Sequence, residues 1–201
     1  MTRPYRGVAH EDRIAERRET LVETALDCLH DDGLSGVSVR SICTRARLTP
    51  RYFYESFADL DALLLAVVDS VAAEVAARSV AARAGAGPDV ADQVRAAIDA
   101  GYAVVATDPR KATALLVAAA GHGPLAERRQ QIVVDYAELA LANLAPLGGL
   151  ANRRQASATA LFLMGGAAEL IAAVLSGRLR LSRTAVVDQL TALWLAVLSK
   201  N

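Results

Sequence analysis

Pro50 is the residue that most limits how this chain can fold. It interrupts a helical pattern that otherwise runs through VSVRSICTRARLTPRYFYESF, Val37 to Phe57. Proline pushes the residue before it out of the α region and fits the first position of a helix. One helix must therefore end ahead of Thr49, and another must start at Pro50 with Thr49 as its N-cap. Upstream, Val39, Ile42, Cys43 and Ala46 recur at i, i+3, i+4 and i+7, one apolar side of a helix that Ser38 can cap. Downstream, Phe53 and Phe57 share the buried side, which turns Arg51 and Glu55 outward and puts Tyr52 and Tyr54 on the flanks. From Gly33 to Tyr54 there are Arg40, Arg45, Arg47 and Arg51 and no Asp or Glu. Two short helices meeting at a tight turn, with a basic and aromatic outer side, suit an anionic partner and predict a helix-turn-helix. The competing reading is a solvated helix pair in an ordinary helical protein.

The rest of the chain reads as helix too. Its 201 residues are 53% hydrophobic but only 4% aromatic, which predicts an Ala/Leu/Val-rich all-α protein, and no strand-like alternation stands out. With 22 basic against 22 acidic residues, any affinity for DNA must come from local placement of charge. Cys28 and Cys43 each fall on the apolar side of a helix, which fits buried free thiols in a reducing cytoplasm, with a thiol redox switch left open. The first thirty residues lack the apolar core of a signal peptide. Ala156 to Ser176 is long enough to cross a membrane, but it is rich in Ala and Gly and carries Glu169 near its middle, so we read it as a buried helix of a cytoplasmic protein.

In chain order, Met1 to Arg13 is polar and reads as an irregular arm, either touching a minor groove or without a role. A first helix is expected from Ile14 to Asp32, burying Leu21, Ala25, Leu26 and Leu29 and stopping at Gly33. Asp59 can cap a long fourth helix striped by Leu60, Leu63, Leu64, Val67, Val68, Val71 and Val75. Ala84 to Pro88 is the best linker, with Asp89 as the next cap. Beyond it come helices ending before Asp108, at Gly121 and at Leu144, then the Ala/Gly-rich helix, then a last one from a Ser182 cap to Ser199. This makes about nine helices in all.

The run from Arg17 to Asp69, with GLSGVSVRSI, a short turn, LTPRYFYESF and then an apolar helix, closely resembles the N-terminal DNA-binding domain of tetracycline-repressor (TetR) type transcriptional regulators. The resemblance implies an arm and DNA-binding head over residues 1–57, and a connecting helix with an effector-binding, dimerising body over 58–201. It implies a homodimer on a palindromic operator, most simply a repressor that a small molecule releases. Arg51, in the first turn of the second helix, is best placed for a guanine edge, and Tyr52 for a thymine methyl or a phosphate. Tyr54 and Ser56 match family positions that usually hold phosphates. Ser38 and Arg40 present the first helix of the pair to the backbone, and Thr49 and Pro50 open the reading helix. Two departures stand out. Arg47 replaces a turn glycine, which raises backbone strain, and Leu60 replaces a lysine that often touches the DNA backbone.

The body has no glycine-rich phosphate loop, paired-Cys motif, HExxH or GxSxG, and His10, His30 and His122 are scattered, so no catalytic, cofactor or metal site is expected. Tyr102, Tyr136, Asn143, Phe162, Met164 and Glu169 are the non-aliphatic members of aliphatic faces. They are either core filler or the wall of a small-molecule pocket, with Glu169 read as a buried carboxylate in need of a partner. The last two helices look wide enough in apolar surface to dimerise, through Gly165, Leu190 and Trp194. The rival function is a helical ligand-binding or interaction protein without DNA binding. Operator, ligand, regulated genes and the sign of regulation are not legible.

Overall fold

The computed structural model describes residues 8–120, 123–144 and 153–198. Among these residues the secondary structure is α-helical throughout: α1 (Val8–Gly36), α2 (Val39–Ala46), α3 (Pro50–Ser56), α4 (Leu60–Gly85), α5 (Val90–Thr107), α6 (Pro109–Ala120), α7 (Pro124–Leu144), α8 (Arg153–Leu175) and α9 (Arg183–Leu198). The all-α expectation of about nine helices holds. The start of α1 differs from expectation, because the chain is already helical at Val8, where an irregular arm over Met1 to Arg13 was expected. The rest of that arm, 1–7, lies outside the described residues, as does His122. Gly33 breaks α1 with φ 65, a conformation open to glycine at little cost, and so stops the regular helix at the expected place.

The chain divides into two compact units, one ending at Ser70 and the other beginning at Val71. The division falls inside α4, not ahead of it at 57/58. The first turns of α4 bury Leu63, Leu64, Val67 and Val68 and fall in the same compact unit as α1, α2 and α3. In the head, α1 packs on α2 and α3, and α2 on α3. Leu21, Ala25, Leu26 and Leu29 of α1, Ile42 and Cys43 of α2 and Phe53 of α3 are buried, and Phe57 closes the group just after α3 ends.

In the body, α5 packs on α9 and α7 on α8, with α6 against α5, α7 and α8. The later turns of α4 join them. Tyr136 Oη of α7 donates to the Ala72 carbonyl at 2.6 Å, and Lys111 of α6 pairs with Glu74 at 2.6 Å. Val94, Ala137, Ala160, Leu163 and Trp194 form a buried cluster drawn from α5, α7, α8 and α9. Asp89 caps α5 by accepting from the Asp92 amide at 3.0 Å, and Ser182 caps α9 by accepting from Ala185 at 3.2 Å.

Candidate nucleic-acid interface

The head's outer surface is built by local signals on either side of one turn. Ser38 stands in extended backbone and its Oγ accepts from the Ser41 amide at 3.1 Å, while the Ser38 amide donates to Ser41 Oγ at 2.9 Å; this reciprocal capping box starts α2. At the other end Arg47 takes φ 55 and ψ 37, the left-handed conformation that the missing turn glycine foretold. Its amide donates to Thr44 O at 3.3 Å and the Leu48 amide to Cys43 O at 2.9 Å, a Schellman closure that satisfies the last carbonyls of α2. Thr49 is extended and precedes α3 as expected, but its side chain makes no capping bond; the start of the helix is held by backbone bonds from the Tyr52 and Phe53 amides to Thr49 O.

Seven residues suffice to turn α3 outward because one side is pinned by Phe53, fully buried, with ring contacts to Phe57 at 6.0 Å and Tyr54 at 5.3 Å. The opposite side is exposed: Arg51, whose side chain is 85% accessible, with Tyr54, and Tyr52 at the edge. Arg40, Thr49 and Pro50 are exposed beside them. Ser56 is half-buried and its hydroxyl donates to Tyr52 O at 3.1 Å, so it faces its own helix more than a partner.

The four arginines of the acid-free stretch are not equivalent. Arg45 turns back to α1, bonded to Asp31 and 3.9 Å from both Asp32 and Cys28 Sγ, and its charge is spent within the head. Arg51 Nε donates to Glu55 Oε1 at 3.1 Å. The other Glu55 oxygen accepts from Arg17 Nη1 of α1 at 2.8 Å. Partial desolvation pushes the Glu55 carboxyl up, and the bonds and charges of Arg51 and Arg17 more than offset it, leaving it below the ordinary carboxylate range. Arg17 also lies over the Tyr52 ring at 4.4 Å. Arg18 lies over Phe57 at 4.1 Å and donates to Ser56 O at 2.9 Å. The sequence reading missed these two arginines because they stand 38 residues from their partners in the chain. Only their place on the first helix, next to an apolar stripe, hinted at a role.

Of the body residues singled out in the sequence, Tyr102 is buried, Tyr136 is half-buried with its hydroxyl bonded to a backbone carbonyl, and Met164 packs against the buried cluster, whereas two others do not line an interior. Phe162 is 78% exposed. Glu169 is also at the surface, paired with Arg129 of α7, and not a buried carboxylate. Both belong to the outer side of α8, since Ala156, Ala160 and Leu163 occupy the inner one and residue 162 stands a third of a turn away. The expected dimer contacts at Leu190 and Trp194 are corrected in the same way: they are 5% and 6% exposed, already enclosed in the protomer's own core by α5 and α9 packing. Gly165 does face open space, as does Gly166. Asn143 bonds within α7, to Leu139 O at 2.8 Å. Cys28 and Cys43 are buried free thiols, and burial raises the Cys43 thiol. Among the described residues no three His, Cys, Asp or Glu side chains gather where a metal ion would fit. α8 is the one described helix long and apolar enough to cross a membrane, and only 22% of that window is buried.

No protein-family model matches the sequence, and no curated protein does. Solved structures match it along almost its whole length. A TetR-family transcriptional regulator from Pectobacterium atrosepticum is 25% identical with a TM-score of 0.65, over 94% of this chain and 97% of that one. A transcriptional regulator from Rhodococcus sp. Rha1 is 21% identical with a TM-score of 0.70, over 90% and 96%. The multidrug binding protein EbrR, complexed with imidazole, is 20% identical with a TM-score of 0.64, over 88% and 94%. The fold of this chain is that of the TetR-family transcriptional regulators, as the stretch from Arg17 to Asp69 foretold.

Proposed function

We propose that this chain is a sequence-specific DNA-binding transcriptional regulator of the cytoplasm, acting as a homodimer on a palindromic operator and released from it by a small molecule, which makes it a repressor. The observation that carries this reading is the outer side of α3, where Arg51, Tyr52 and Tyr54 are exposed on a helix pinned from behind by Phe53. Arg51 reads a guanine, Tyr52 and Tyr54 meet a thymine methyl or phosphates, and Arg40 adds backbone attraction. Two such helices reach successive major grooves when the heads are about 34 Å apart, one turn of DNA.

A second copy is the natural cover for the outer side of α8, where Leu161 and Phe162 are exposed and Gly165 and Gly166 leave room for a partner backbone, together with Leu193 of α9. The effector is a mostly apolar compound held in the body near Tyr102, Tyr136 and Met164; the binding of imidazole by EbrR, which shares the fold, supports a body of this kind. Its occupancy would act on α4, the one helix shared by both units, and so on the spacing of the heads. A gel shift with the DNA upstream of its own gene tests the reading. A sequence-selective complex is expected, and equal affinity for scrambled DNA would refute it.

A further inference from the structure

The ion-pair chain behind the reading helix has an asymmetry that the base-reading role of Arg51 leaves unexplained. Each oxygen of Glu55 serves a different arginine, Oε1 the Arg51 Nε at 3.1 Å and Oε2 the Arg17 Nη1 at 2.8 Å. An unrestrained carboxylate four residues from an arginine on one helix tends to take the guanidinium as a two-toothed fork, with both oxygens on one arginine. Such a fork would tie up an edge of Arg51 that a guanine needs. Here it is prevented by a third group that is itself fixed at three points. Arg17 Nε donates to Arg13 O at 3.0 Å, its Nη1 holds Glu55, and its flat face rests on Tyr52 at 4.4 Å. Its side chain is only 19% exposed, so Arg17 is held against the protein and not free in solvent.

We propose that Arg17 is a positioning residue for DNA readout: from α1 it holds one oxygen of Glu55, and thereby leaves Arg51 bound through Nε alone, with both terminal amines free for the O6 and N7 acceptors of a guanine. The proposal rests on Arg51 being the base-reading residue. The same contact sets the Tyr52 ring, so α1 orients two members of the reading surface. Docking of α1 on α3 does not depend on it, because Arg18 independently bonds Ser56 O and covers Phe57.

The test is a mutant cycle on the full chain. Its readout is the ratio of affinities for a duplex selected from a randomised pool and for the same duplex with the guanine pair opposite Arg51 replaced. Arg17→Ala is expected to lower this ratio about tenfold, the scale of one bidentate guanine contact. In a Glu55→Gln background, where no carboxylate competes for Arg51, the same substitution should change the ratio by less than about twofold. Arg17→Lys keeps the charge without the flat fork and should fall between; it serves as the readout if Arg17→Ala does not fold by circular dichroism. Equal losses in both backgrounds would overturn the proposal, as would a fall of both affinities in step with the ratio unchanged, the signature of a merely structural or phosphate-contacting residue. Arg51→Ala distinguishes the two levels. If it leaves the ratio intact, the base-reading assignment fails and the relay with it, whereas a normal Arg51→Ala loss with additive Arg17 and Glu55 effects overturns the relay alone.

Discussion

Arg47→Gly should stabilise the head. Arg47 sits at φ 55, ψ 37, where the Cβ of an L-residue crowds the following carbonyl at a cost of about 1–2 kcal/mol. Both bonds of the turn, Arg47 N to Thr44 O and Leu48 N to Cys43 O, are made by backbone and survive the substitution. Against the relief stands glycine's extra freedom in the unfolded chain, about 0.5–1 kcal/mol. The net gain is therefore about 0.5–1 kcal/mol, which should slow exchange of the α2 and α3 amides about two- to fivefold when local opening limits it. Hydrogen exchange read by mass spectrometry on the full chain reports this without requiring the two units to melt together. Arg47→Asn should lie between, since Asn tolerates the left-handed region, and Arg47→Val should open the turn further than the native residue does. Glycine exchanging faster than arginine, or valine matching asparagine, would show that the turn is not strained and that the reasoning fails.

Arg51→Ala should cost about 1–3 kcal/mol on the selected operator and relax preference at one base pair per half-site, whereas Arg40→Ala should weaken all sequences alike and reduce the salt slope by about one per subunit; titrations at several salt concentrations separate them. Phe162→Glu, on the open side of α8, should yield a folded monomer in sedimentation, while Leu190→Asp should lower the melting temperature by destabilising the core more than about 3 kcal/mol, and the reverse pattern would refute the assignment of faces. Burial raises the Tyr136 phenol well above its ordinary range, so its contribution to stability is whole below the ordinary phenol value, about pH 10, and is lost as pH climbs from there toward the raised value. Urea unfolding at increasing alkaline pH should show this loss, and Tyr136→Phe should remove that part of it at a cost of about 1 kcal/mol at neutral pH; an identical alkaline loss in the variant would refute it.

Helix boundaries were legible because the forces that set them act within one turn. Pro50 forces a start, Ser38, Asp89 and Ser182 supply an oxygen to an amide three residues on, and Gly33 accepts a positive φ; all five operate as read from the sequence. The outward side of α3 was legible for the same reason, since Phe53 and Phe57 leave only one way for a seven-residue helix to face. The faces of the last two helices were not. A helix apolar nearly all round has no preferred side until its neighbours choose one. Packing against α7 turned Phe162 and Glu169 outward, and the docking of α9 on α5 consumed Leu190 and Trp194. Which arginines remain unpaired with another helix was decided the same way. Four arginines in an acid-free stretch look alike in sequence, but the docking of α1 brings Asp31 to Arg45 and Arg17 to Glu55, and ion pairs between helices depend on where those helices come to rest and not on spacing along the chain.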